Sequence, residues 1–240
     1  SLYARLVSDR LNEFTYPAQI AGVSFGVSGG NKGIDIRLGG FSSGHAVLLD
    51  EVLASLMIHQ VDEARFNRLA QDMQEDLQRA LIDKPFRQIM RRAQQLLMTP
   101  SNNVEANLEA LQALRAEDLA SYMAVFSQQW QAEVMLAGNY HREEAYRLAV
   151  KLRGILPAER ATFEPPLVQV AQVACAEACT GQMVVEDNDS AVLVYLQGRD
   201  KSDIARVDMA ILANMMQSPF FQSLRTEQQL GYVVGAYPYA

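Results

Sequence analysis

Ser218-Pro-Phe-Phe-Gln-Ser-Leu-Arg-Thr-Glu-Gln-Gln-Leu-Gly-Tyr-Val-Val, residues 218 to 234, reads as a helix running into a Gly-initiated strand. Arg225 and Tyr232 stand seven residues apart across that junction. Both side chains suit a polarised carbonyl oxygen, one as a permanent cation with a forked donor edge, the other as a phenol. Local chemistry alone favours a plainer alternative, a surface cation at a helix end and a half-buried strand aromatic. The rest of the chain shifts that balance.

The same helix-to-strand unit occurs near the N-terminus. Leu11-Asn-Glu leads to Ile20-Ala-Gly-Val-Ser-Phe-Gly-Val, as Leu224-Arg-Thr-Glu leads to Leu230-Gly-Tyr-Val-Val-Gly-Ala. The spacing of the two copies is too long for a solenoid repeat. Matching the glycines sets Val23 against Tyr232, and Asn12 holds the place of Arg225. Residues needed only for packing would look alike in both copies, and these do not.

Between the copies the pattern is mostly helical. Apolar spacing predicts a helix over 2–15 ending before Pro17. A β-hairpin follows, with Val23, Phe25 and Val27 on one strand and Ile34, Ile36 and Leu38 on the other. Gly29-Gly-Asn-Lys-Gly joins two strands instead of opening a helix, so it reads as a turn and not as a phosphate cradle. Helices are expected over 44–59, after Asp62 as N-cap, from Pro85 to about Met98, after Ser101, over 116–129 and from Asn139. Short strands are expected at Glu133–Gly138, near 168–174, 181–186 and 191–197, and over Gly231–Ala240. A further helix carries Ile204, Val207, Ile211, Leu212 and Met215. Strands segregated from runs of helices give an α+β class, with an antiparallel sheet packed by helices.

The tract from Ile155 to Leu167 contains three prolines and is the best linker candidate. It divides the chain into 1–157, a linker at 158–170, and 171–240. The helical pattern starts at the first residues without an initiator Met, and strand pattern persists to the last, so an interior piece of a longer polypeptide is expected.

Composition bounds the partners. The formal charge is −7, without a basic stripe, which disfavours nucleic acid. No apolar run approaches the roughly 18–20 residues of a membrane span. Cys175 and Cys179 would sit about 13 Å apart on a straight strand, too far for a disulfide, but could approach on a helix or turn. The three histidines are His45, His59 and His141. His141-Arg-Glu-Glu-Ala145 comes nearest to a metal motif, but Ala145 occupies the i+4 position where a second ligand would share the helix face. No metal ligand and no catalytic nucleophile-plus-base arrangement is assigned within this chain.

Leu224-Arg-Thr-Glu-Gln-Gln-Leu-Gly-Tyr232 resembles the Leu-Arg-Thr-x-x-Gln-Leu-Gly-Tyr motif of the pitrilysin and insulin-degrading enzyme family of inverzincin zinc metallopeptidases. Leu11-Asn-Glu-Phe-Thr-Tyr-Pro-Ala-Gln-Ile-Ala-Gly, Gly39-Gly-Phe-Ser, Gln95-Leu-Leu-Met-Thr and Leu136-Ala-Gly-Asn resemble segments of that family's third domain, in order. The resemblance implies four related αβ domains closing around a chamber, this chain being most of the third, nearly complete, and the truncated start of the fourth. It implies one zinc ion bound by His-x-x-Glu-His outside this segment, in the N-terminal half of the same polypeptide. It also implies peptide substrates, and Arg225 and Tyr232 contacting their backbone near the scissile bond. Alternatives are an inactive scaffold or partner half, or a pyrroloquinoline-quinone maturation peptidase. Bacterial members imply a periplasmic setting.

Overall fold

The first helix follows from a run of apolar side chains at helical spacing. In the computed structural model, which describes residues 1–30, 33–41, 44–101, 103–155, 167–173, 179–198 and 200–238, α1 spans Leu2–Ile20. The Ser1 hydroxyl accepts from the Ala4 N–H at its start. Leu2, Tyr3, Leu6, Val7 and Leu11 share one face and are buried. The expected stop before Pro17 is corrected, because Pro17 lies inside the helix, Ala21 caps it, and Gly22 follows at φ +81°. Pro17 forfeits one N–H of the ladder near an end where few bonds remain. Burial of the first turns holds the helix, and a left-handed glycine ends it.

Gly22 delivers the chain into the hairpin of β1 (Val23–Gly30) and β2 (Gly33–Gly40), paired antiparallel from Val23↔Gly40 through Gly30↔Gly33. Val23, Phe25 and Val27 face inward while Ser24, Gly26 and Ser28 are exposed, the period-two pattern of a half-buried strand. Asn31 and Lys32 of the expected turn lie outside the described residues. Gly40 has φ +97°, and a Cβ there would stand 1.9 Å from the Gly22 carbonyl oxygen. Only glycine fits at this corner.

Helix α2 (His45–Leu56) lays Leu48, Val52, Leu53 and Leu56 against α1. The Tyr3 hydroxyl donates to the Leu56 carbonyl at 2.8 Å. The Arg10 guanidinium donates to the carbonyls of Ser55 and Ile58, at 3.4 and 2.8 Å, and to that of Gln60. A cation from α1 thus closes the negative end of α2. Asp62 is the N-cap of α3 (Glu63–Leu81), accepting from the Arg65 N–H at 2.8 Å. Asp9 on α1 pairs with Arg65 and Arg68 of that helix at 3.1 and 2.8 Å. Helix α4 (Pro85–Leu97) begins with proline as expected.

Asn103, not Ser101, caps α5 (Val104–Ala113), its side chain accepting from Ala106 N–H at 2.9 Å. The residue one place before the first helical position has the geometry to reach N3, and Ser101 lies too far upstream. Helix α6 (Ala116–Gln128) buries Leu119 and Met123, and Phe126 meets the Tyr3 ring edge-on at 5.5 Å. Helix α7 (Arg142–Ile155) starts three residues later than expected, where the Glu144 carboxylate accepts from the His141 N–H at 2.9 Å. The C-terminal part holds α8 (Asp203–Phe221), capped by Ser202.

Two compact units result, residues 1–81 with 98–170, and residues 82–97 with 171–240. The first contains α1–α3, α5–α7, the hairpin, and β3 (Met98–Thr99) paired antiparallel with β4 (Gln169–Val170). Its core is the cluster around Leu6, Val7, Leu48, Val52 and Met123. The architecture is α+β, as the pattern implies. The linker reading falls largely on residues 156–166, outside the described residues.

Several expected strands are corrected. Among the described residues, Glu133–Gly138, 181–186, 191–197 and 231–238 form no ladder, and of 168–173 only Gln169–Val170 pairs. Alternation of apolar residues states which faces could be buried, but a strand also needs a neighbour to take its N–H and C=O groups. Val192, Val194 and Leu196 stay exposed, as do Ile204, Val207, Ile211 and Met215 of α8. Among the described residues, the second unit fully buries Pro85 and Ala205. Cys179 is disulfide-bonded, and Cys175 lies outside the described residues. No helix of the described residues is long and apolar enough to cross a membrane.

Candidate functional site

Helix α8 does not end cleanly. It passes into a π-helical turn, Gln222–Glu227, whose wider winding carries Arg225. The Gln228 N–H donates to the Ser223 carbonyl at 3.0 Å, and the Gln228 side-chain amide to the Ser223 hydroxyl at 2.9 Å. The Leu230 N–H then donates to the Leu224 carbonyl at 2.9 Å. Gln229 between them takes φ +53°, the left-handed region that non-glycine residues rarely adopt. Single π turns of this kind recur at functional sites.

This elbow folds the following segment back over the helix end. The Arg225 guanidinium carbon lies 4.3 Å from the Tyr232 ring centroid and 5.0 Å from that of Phe221. Two aromatic rings therefore engage the flat cation, a geometry in which the ring quadrupoles attract it. Arg225 is half-buried, and among the described residues it makes no hydrogen bond or ion pair. Its forked N–H edge is left for an acceptor. Tyr232 is 81% exposed, so its hydroxyl is presented to solvent. The two residues singled out from the sequence are thus brought together. Phe221 was not singled out, although its i−4 spacing from Arg225 on a helix is a usable signal.

The helix-to-strand units of the two ends turn differently. In the first the left-handed residue is Gly22 itself, directly before β1. In the second it is Gln229, two places before Gly231, where a Cβ would meet open space. The first copy places a packing valine, buried Val23, where the second exposes Tyr232.

Further polar features lie in the first unit. The His45 imidazole is buried at the start of α2, with Nδ1 hydrogen-bonded to the Tyr140 hydroxyl. It lines a cavity of about 1110 Å³ together with Leu53, Tyr122, Trp130 and Tyr140. The Glu144 carboxylate is engaged by backbone at the start of α7, and Ala145 offers no ligand. Among the described residues no group of three His, Cys, Asp or Glu side chains is placed to hold a metal ion.

Residues 1–110 match a family model described as the middle or third domain of peptidase M16, and residues 211–240 match domain 4 of the C-terminal lobe of PqqF-like PQQ synthase. The chain is 27% identical over 239 residues to the insulin-degrading enzyme of Drosophila melanogaster, covering 95% of this chain and 24% of that protein. It is 28% identical over 251 residues to the putative zinc protease mug138 of Schizosaccharomyces pombe, covering 98% of this chain and 25% of the relative.

The chain resembles the pitrilysin and insulin-degrading enzyme family.

A crystal structure of pitrilysin superposes on the whole of this chain with a TM-score of 0.73 at 18% identity, matching 25% of that molecule, so the two share a fold. The chain spans about a quarter of the length of the family relatives it matches. Its fly and fission-yeast relatives, and an Arabidopsis thaliana one named as peroxisomal, are eukaryotic, so these family likenesses lend no support to a periplasmic setting.

Proposed function

We propose that this chain is the part of a pitrilysin-like zinc metalloendopeptidase that spans most of the third domain and the start of the fourth. In this reading Arg225 and Tyr232 contact the peptide backbone near the scissile bond. The observation that carries it is the paired presentation of Arg225 and Tyr232 at the elbow after α8, with the guanidinium over two aromatic rings and without a hydrogen bond or ion pair among the described residues. The two family matches, one to a third domain and one to a domain 4, support the placement.

When a peptide carbonyl is attacked, its oxygen gains negative charge. The Arg225 N–H fork and the Tyr232 hydroxyl are donors that can be aimed at it in advance. Preorganised donors of this kind are worth about 2.7–4 kcal/mol each in comparable sites, far more than a hydrogen bond exchanged with water. The zinc ion belongs to the other half of the polypeptide in this reading. When bound there it supplies Lewis-acid chemistry at the reacting carbonyl and water.

A second reading has a specific observation in its favour. The match of residues 211–240 to a PqqF-like domain suits a peptidase of pyrroloquinoline-quinone maturation, or a non-catalytic partner half of that fold. A His-x-x-Glu-His motif in the full-length polypeptide, with peptide cleavage lost on replacing it, supports the peptidase. Its absence would favour the scaffold. For residues 1–240 alone, metal analysis is expected to find no stoichiometric zinc, and one bound equivalent would contradict the assignment.

A further inference from the structure

The aromatic partner of Arg225 that no motif singled out is Phe221, and we propose that Phe221 is a positioning residue that sets the direction of the Arg225 guanidinium. The inference rests on Arg225 being a substrate contact.

An unheld arginine side chain has many rotamers open to it, and a donor that wanders stabilises a developing charge poorly. Arg225 has no carboxylate or carbonyl partner among the described residues to hold it. What it has is a ring on its own helix, one turn earlier, with the guanidinium carbon 5.0 Å from the centroid, and Tyr232 at 4.3 Å. Ring contacts hold a guanidinium without using its N–H donors in hydrogen bonds to a fixed acceptor. A carboxylate partner would instead occupy those donors. Tyr232 itself sits on the unpaired segment after the left-handed Gln229, so its ring is the less anchored of the two. Phe221 belongs to the last turn of α8, where the backbone is held by helical hydrogen bonds. It is 40% exposed and is not part of the buried core cluster.

The test uses the full-length enzyme with a peptide substrate and four variants. Phe221→Leu keeps apolar volume but removes the ring, and is expected to lower kcat on the order of ten-fold with little change in KM, between the loss of one ring contact and a 1 Å misplacement of a catalytic donor. Phe221→Tyr is expected to restore activity to within about two-fold, since its ring face has the same quadrupole. In the Arg225→Ala background, adding Phe221→Leu should change nothing further. Full additivity of the two substitutions would overturn the positioning role while leaving the Arg225 contact intact. So would equal impairment by Leu and Tyr. Wild-type activity in Arg225→Ala alone would instead remove the underlying reading, and the inference with it.

Discussion

At the scale of single residues, the functional proposal rests on two side chains. Arg225→Ala and Tyr232→Phe in the full-length protein are each expected to lower kcat/KM by about 10²–10³ while sparing the thermal midpoint. Steady-state kinetics paired with thermal melts decide it, because unchanged kinetics, or a collapsed midpoint with proportionate loss, returns both residues to packing. A second residue-scale expectation concerns Tyr3. It is 2% exposed, donates to Leu56, and burial pushes its phenol from 10.0 up to about 12. The folded state therefore holds this proton more tightly than the unfolded chain. Its contribution to stability is complete below pH 10 and is lost as pH rises through 12. Tyr3→Phe should cost about 1–2 kcal/mol at neutral pH by orphaning a buried carbonyl. In denaturant titrations run at successive pH values, the gap from wild type should narrow between pH 10 and 12.

At the scale of elements, capping and corner chemistry decide where the chain turns. Asp62 and Pro85 announce their helices in the sequence, and both do so in the structure. Pro17 misleads, since a proline one turn from a helix end costs little when the rest of the helix is buried. Gly22 supplies the actual stop. Gly40 is the sharpest corner. Its positive φ and the 1.9 Å approach to the Gly22 carbonyl leave no room for a methyl group. Gly40→Ala is expected to destabilise the hairpin by at least about 1–3 kcal/mol, through backbone strain and the clash of its methyl group with the Gly22 carbonyl. A lowered urea midpoint with unchanged m-value would show this, and an unchanged midpoint would refute it. The elbow at residues 222–230 was not legible at this scale. Helical periodicity reads through a π turn, and nothing about Gln229 announces a left-handed residue.

At the scale of the whole molecule, the two compact units differ in what they bury. The first closes a core of Leu, Val and Met from α1, α2, α5 and α6, tied by Arg10 and Asp9. The second leaves the stripe of α8 and Val184, Val192 and Val194 exposed among the described residues. Hydrogen exchange on residues 1–240 should therefore find strong protection in α1 and α2, and little over 181–198 and 230–238. Uniform protection of both units would show that the exposed stripes are covered in solution.

The sequence by itself determined the α+β class, the two strands of the hairpin, most of the helices, and the helix starts at Asp62 and Pro85. It also singled out Arg225 and Tyr232, because each of these is written in local spacing or in a short motif. Only the tertiary structure decided which alternating segments found a strand partner, that Arg225 lies among two rings, and that Phe221 is one of them. The physical reason is range. Periodicity and capping act over a few residues, whereas ladder pairing and the return of Tyr232 over Arg225 depend on backbone bonds made across an elbow that no local pattern encodes.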